Sequence, residues 1–319
     1  MRVTLLTILL SLFVANLQIH AQNQFTDSLF KIQEKRKKVL QRRIRWMTAA
    51  NIAGYGAAMT GLYTAWYRQY PQSSFHTFND LGEWKQMDKV GHLYSAYIES
   101  MGSMELWNWA SLDRKKRVWI GGLSGAAYQT VIEILDGFSA QWGWSWGDFS
   151  ANIAGSSLLI AQELGWKEQR IELKLSYHNV RYSDPILNNR STQLFGSTTS
   201  SRFLKDYNGQ TYWASVSLAP FLKKGSWPPW LNIAVGYGAA GMLGGFENIS
   251  KDGNGNIVFD RGEIPRYRQW YIAPDLNWKK IKTNKKGVRL LFTLLNAFKL
   301  PTPTLEFSRG RFKLHPLYF

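Results

Sequence analysis

Residues 118–136 read VWIGGLSGAAYQTVIEILD. The run is long enough to be one helix, and Gly121, Gly122, Gly125, Ala126 and Ala127 would let a neighbouring helix approach closely. It ends on two carboxylates, Glu133 and Asp136, three residues apart and so on one helix face. Three further segments have the same character: 46–66, 89–110 and 149–165. All four have lengths compatible with crossing a bilayer. They also carry Glu99, Glu105, Glu133 and Glu163, a pattern that a buried soluble bundle explains equally well. The expected fold class is mainly α: a four-helix, membrane-associated bundle followed by a mixed region with short β-strands.

Working outward toward the N-terminus, residues 26–45 form a charged helical pattern with Thr26 or Asp27 at its start. Before it stand Met1-Arg2, an apolar run Val3 to Leu17, and Ile19-His20-Ala21. A short positive start, an apolar middle and a small residue at the cut describe a secretory signal peptide; an uncleaved anchor is the alternative. Toward the C-terminus, Ser, Thr, Asn and Gly dominate 183–211, which reads as loops. Five β-like runs follow: Tyr212–Leu218, Trp230–Tyr237, Gln269–Ala273, Val288–Leu295 and Thr304–Phe312. The expected divisions are a signal peptide over 1–21, a basic helix over 22–45, the bundle over 46–175 and the mixed region over 176–319.

Composition narrows the location. Of 319 residues only 19% are charged, below the roughly 25% of an ordinary soluble protein. Aromatics reach 15%, with 15 Trp, which suits a bilayer interface or the outer membrane. A mean hydropathy of −0.28 excludes an all-helical transporter. The absence of cysteine excludes a disulfide framework, a thiol nucleophile and a lipidated cysteine in this sequence. A net charge of +17 favours an anionic partner. With export to the periplasmic side, nucleic acid drops out, and anionic membrane lipid or lipopolysaccharide remains. If the four segments run up and down, basic residues gather at one end, from Lys35 to Arg45, Arg114 to Arg117 and Lys167 to Lys174. That end would rest on anionic lipid.

The opposite end of the bundle gathers the chemistry. Asp88, Lys89 and His92 open the second segment, with Asp88 and His92 four apart. Gln129, Glu133 and Asp136 share a face of the third, and Asp148 and Asn152 a face of the fourth. His92, Glu133, Asp136 and Asp148 are the candidate catalytic groups; Asp88, Lys89, Gln129 and Asn152 are candidate binding groups. A buried polar cluster needs mutual hydrogen bonds or a bound cation. A network that only fixes helix register satisfies that need as well as a site does. Neither HExxH nor paired histidines occur, so no metal or other cofactor is assigned.

The order D-K-x-x-H, E-x-x-D, D-x-x-x-N-x-x-G resembles VanZ-like membrane proteins, with Asp136 where that pattern has Gln. More closely, 85–165 resembles the YfiM-like family, a domain of unknown function described as predicted periplasmic lipoproteins; Gln129 to Glu163, with Trp144-Ser145-Trp146-Gly147-Asp148, carries the likeness. The resemblance implies a location and a residue set but no reaction, and the missing cysteine departs from lipid anchoring. Two function classes follow. One is an exported structural or lipid-contacting protein; the other is an enzyme on an envelope lipid or glycan-lipid, with His92 or Glu133 as general base. Asp252, Asn254, Asn256, Asp260 and Glu263 match calcium-loop spacing, but Ile257 replaces the loop glycine, and a polar hairpin turn is the simpler reading. Trp142, Trp144 and Trp146 read as an interfacial belt before a ligand platform.

Overall fold

The computed structural model describes residues 2–68 and 70–319; the side chains of 2–19, 21, 65, 66 and 286, and with them most of the expected leader, lie outside the description. Helix α1 spans Arg2–Leu62 and runs through a π-helical turn, Tyr63–Tyr67. A loop and a 3-10 turn, Glu83–Gln86, lead into α2 (Met87–Trp109), α3 (Arg114–Gly137) and α4 (Trp146–Gly165). Strand β1 (Ile171–Tyr177), helices α5 (Pro185–Phe195) and α6 (Thr199–Lys205), and strands β2 (Gln210–Ser217) and β3 (Leu231–Ala240) follow. A small hairpin, β4 (Ile249–Lys251) and β5 (Ile257–Asp260), precedes β6 (Tyr267–Leu276), α7 (Lys286–Leu295), β7 (Thr302–Ser308) and β8 (Arg311–Tyr318). Six strands form one antiparallel sheet in the order β1-β2-β3-β6-β7-β8.

The mainly-α expectation is therefore corrected. About half the chain is helical, and the large sheet makes the fold a helical layer joined to a sheet. Among the described residues no helix is long and apolar enough to cross a membrane. The physical reason for the misreading lies in α2. Tyr97, Met101 and Met104 pack with Val118 of α3 and with Leu159 and Ile160 of α4. From its other side Met87, Val90 and Tyr94 pack with Leu175 of β1 and Tyr212 of β2. A helix covered on both sides carries apolar residues on more than one face, which is also the pattern of a membrane span. Each fully buried side chain of this kind contributes about 1.5–3 kcal/mol.

The bundle is also one helix smaller than expected. The basic helix and the first apolar segment are one continuous helix, α1, most of which is exposed. It touches the rest through Met47 against Trp107 and Ala110, and through Tyr55 against Tyr128. Close packing involves α2, α3 and α4. A Cβ at Gly125 would lie 2.0 Å from the Ala96 carbonyl oxygen, and one at Gly155 would lie 2.2 Å from that of Leu93. Glycine at these two positions is what brings α3 and α4 onto α2.

Other boundaries moved for local reasons. The loop expected over 183–211 holds α5, capped by Asp184, and α6, capped by Thr198. Val288–Leu295 is helix α7 rather than a strand, because a short apolar run fits both periods. Thr304–Phe312 is two strands: Arg309 and Gly310 take positive φ, 51° and 71°, and form the turn between β7 and β8. β1 lies in a stretch read only for its basic residues.

Candidate functional site

Three helix ends and one loop build the site. α2 is preceded by Trp84, Lys85 and Gln86 with φ of 47°, 53° and 65°, a left-handed run of three side-chain-bearing residues. Such a run persists only when its surroundings hold it. Here the Trp84 amide donates to the Gly245 carbonyl (2.7 Å), and the Tyr237 hydroxyl donates to the Lys85 carbonyl. α4 starts at Ser145, whose hydroxyl oxygen accepts from the Asp148 amide (3.0 Å) and donates to Asp80 (2.6 Å). Ser145, not Asp148, is thus the cap, and Asp148 is free to face α2.

Lys89 is the hub. Its Nζ lies 2.7 Å from Asp80, 3.1 Å from Asp88 and 2.9 Å from Asp148. Burial works against its charge, but Asp88 and Asp148 outweigh burial and hold the ammonium above its usual range. Asp88 also accepts from the Tyr207 hydroxyl at 2.6 Å. Burial pushes Asp88 up, yet His92, Lys89 and Tyr207 outweigh it and keep this carboxyl below its usual value.

His92 stands one turn further in. Its Nδ1 is 3.1 Å from Asn152 Oδ1 and 3.6 Å from Glu133 Oε1. An amide oxygen only accepts, so Nδ1 carries the proton and Nε2 is the nitrogen turned toward the carboxylates. That Nε2 lies 3.9 Å from Asp88 Oδ1 and 3.9 Å from Asp148 Oδ1. Asp88, His92 and Asp148 each offer one ligand atom, all within 4.8 Å of one another.

The surroundings are acidic. Burial lifts Glu133 to about 8, with His92 partly opposing. Burial, then the charge of Asp88, takes Asp148 to about 9. Asp136 rises to about 7 and Glu83 to about 7, again chiefly by burial. Asp136 accepts from the Tyr67 hydroxyl at 2.8 Å, and Glu133 Oε2 from the Ser145 amide at 3.3 Å. Glu133 is 1% exposed, and its Oε1 has no hydrogen-bond partner. Carboxylates outnumber Lys89 and His92 here, so protons or a cation must complete the balance. The cluster opens on a cleft of about 570 Å³ lined by Asp80, Asp88, His92, Asp136, Asp148 and Tyr207, among others.

The structure thus gathers Asp88, Lys89, His92, Glu133, Asp148 and Asn152 into one network, with Asp136 on the cleft wall. Gln129 lines the cleft but spends its amide on Glu99, at 2.8 Å. Sequence reasoning missed Asp80, Glu83, Tyr67 and Tyr207. Asp80 and Glu83 sit in a connection without periodicity, and Tyr207 arrives from 119 residues beyond Asp88. Only Asp80 had a signal, its place in an acidic turn just before α2. Of the tryptophans, Trp142 lines the cleft against Tyr67 and Tyr70, while Trp146 is exposed. The calcium-like segment is the turn between β4 and β5, where the Asp252 carboxylate accepts from the Asn254 and Asn256 amides.

Residues 77–162, about a quarter of the chain, match the model of the family DUF2279, described as predicted periplasmic lipoprotein. That span contains the cluster carried by α2, α3 and α4, together with Asp80 and Glu83. It supports an exported cell-envelope location and indicates no activity. No curated protein and no solved structure matches the chain.

Proposed function

We propose that this envelope protein works at an anionic membrane surface, phospholipid or lipopolysaccharide, and that the acidic cleft is a cation-assisted acid–base site. The observation that carries the site is the setting of His92: Nδ1 tied to Asn152, and Nε2 flanked by two carboxylate oxygens at 3.9 Å. Two anions beside one ring nitrogen call for a positive charge between them. Metal-binding histidines show this arrangement, their second nitrogen held by an outer partner that fixes the tautomer. Asp88 Oδ1, His92 Nε2 and Asp148 Oδ1 would hold the ion, and such an ion supplies Lewis acidity. Lys89 holds Asp88 through Oδ2 and Asp148 through both of its oxygens. Glu133, behind His92, holds or releases a proton. Tyr67 and Asp136 form the cleft wall. Substrates that suit a site beside a membrane are envelope lipids or glycan-lipids.

A network that only pins helix register would close on itself, whereas these groups face a cleft of about 570 Å³. The test is titration calorimetry with Mn²⁺ as probe. The wild type should bind, and His92→Ala and Asp148→Asn should each weaken binding at least tenfold with the helical circular dichroism signal unchanged. Wild-type protein that takes up no divalent cation, with both variants merely less stable, would return the cluster to a structural role.

A further inference from the structure

The two sides of the six-stranded sheet differ. One side is buried and holds the Trp213, Ala234, Tyr271 and Ala273 core together with polar pairs: Lys174 of β1 pairs with Asp275 of β6 at 2.7 Å, and Ser215 of β2 donates to Asp275 at 2.6 Å. On β7 and β8, Glu306 takes His315 at 2.7 Å. The other side, over the last strands, is apolar and exposed. One row runs across four strands as Tyr237, Trp270, Phe307 and Phe312. The next row is Val235, Ile272, Leu305 and Leu314. Phe312 and Leu314 are 71% and 70% exposed, and Trp270 and Ile272 are each 49% exposed. An antiparallel sheet with one face in water turns its polar residues outward; this one does the opposite, as a sheet facing lipid does.

Cationic side chains border this face. Arg268 lies two residues before Trp270 on the same side of β6, whereas Arg311 and Lys313 turn to the other side with Ser308 and Glu306. Helix α7, between β6 and β7, leaves Leu290, Leu291 and Leu294 exposed beside Lys285 and Arg289. An apolar band edged with Lys and Arg complements a bilayer whose headgroups are anionic. A soluble protein partner would more often present acidic side chains to such a rim than a wide apolar plane.

We infer that the exposed apolar face of β3, β6, β7 and β8 is the surface by which the protein seats on an anionic phospholipid bilayer. This rests on the membrane contact proposed above, but places it on the sheet instead of the basic end of the helices. The cleft chemistry is not needed for it.

The chain has no cysteine, so single cysteines introduced into the full-length protein can each carry an environment-sensitive fluorophore. Probes at Phe307→Cys, Trp270→Cys and Leu314→Cys should shift to the blue with vesicles of phosphatidylglycerol and phosphatidylethanolamine. Probes at Ser308→Cys and Lys313→Cys, on the other side of the same strands, should not. Phe312→Asp with Leu314→Asp should cut vesicle flotation at least tenfold without lowering the melting temperature, since both side chains are already in water. Vesicle binding that survives this change and is lost on neutralising Arg42, Arg43 and Arg45 would overturn the sheet surface while leaving the membrane contact. No binding to any vesicle would overturn both. A monodisperse dimer that the double Asp variant dissolves, with no probe shift on vesicles, would make a second copy the occupant and would likewise overturn the proposal.

Discussion

His92 and Asn152 lie 60 residues apart in sequence, and their side chains meet at 3.1 Å, Nδ1 to Oδ1. The contact crosses from α2 to α4 at the level where Gly155 lets the helices close, and it fixes which nitrogen of His92 faces the cleft. Asn152→Ala should free the ring. Cation affinity should fall about 10–100-fold, and stability by about 1–3 kcal/mol, the cost of an unpaired buried partner. Calorimetry and thermal melts of the same preparation separate the two effects. An Asn152→Ala protein with full affinity would mean that this contact does not orient the ring.

Lys89 contacts three carboxyl groups at once. Lys89→Met should leave Asp80, Asp88 and Asp148 facing one another and cost about 3–5 kcal/mol, the usual penalty for breaking a buried pair. Because the folded lysine titrates above its unfolded value, its contribution is complete below pH 10.5 and is lost only as pH rises further. The deficit of the variant should shrink only below pH 3.8, as Asp88, held down in part by Lys89, protonates. A deficit that stays constant from about pH 6 to below about pH 3, measured by denaturant melts, would contradict this charge assignment.

Glu99 offers a pH test outside the cluster. Burial lifts its carboxyl to about 8, and Gln129 only partly offsets the shift. Its Oε2 has no hydrogen-bond partner, which suits a protonated acid. A carboxyl raised in the folded state stabilises fully below its unfolded value of 4.5 and loses that contribution as pH rises through about 8. Glu99→Gln should therefore match the wild type near pH 4 and exceed it in melting temperature at pH 8–9. Equal pH dependence of the two proteins would show Glu99 ionised throughout.

Glycine carries the packing of the helical layer. Gly125→Ala and Gly155→Ala each push a methyl against backbone oxygen and should cost at least about 1–3 kcal/mol. Gly54→Ala on α1 meets nothing within 4 Å and should stabilise slightly, by up to about 1 kcal/mol of helix propensity. Urea melts of the three variants give the comparison; equal effects would remove the close approach as the reason for these glycines.

Helix periodicity made α2, α3 and α4 legible, and with them the shared faces of Asp88 with His92, Glu133 with Asp136, and Asp148 with Asn152. The caps of α3 and α4, Asp113 and Ser145, were not read from the sequence, where the fourth segment opened at 149 beside Asp148. What sequence could not show was the covering of α2 by β1 and β2, since Leu175 lies 88 residues beyond Met87 and Tyr212 118 residues beyond Tyr94. Without that cover, an apolar helix reads as a membrane span. α7 was lost because apolar residues at 288, 291, 292 and 295 suit a helix and a short strand alike. Within the site, Asp80 and Tyr207 escaped for a related reason: loops and long-range contacts leave no period to find.

The central claim is that Asp88, His92 and Asp148 share a divalent cation. Anomalous scattering from crystals grown with Mn²⁺ tests it directly. The account predicts a single strong peak about 2.0–2.6 Å from His92 Nε2 and from one oxygen each of Asp88 and Asp148. A map with no peak there, at Mn²⁺ concentrations that saturate other carboxylates of the protein, would contradict it.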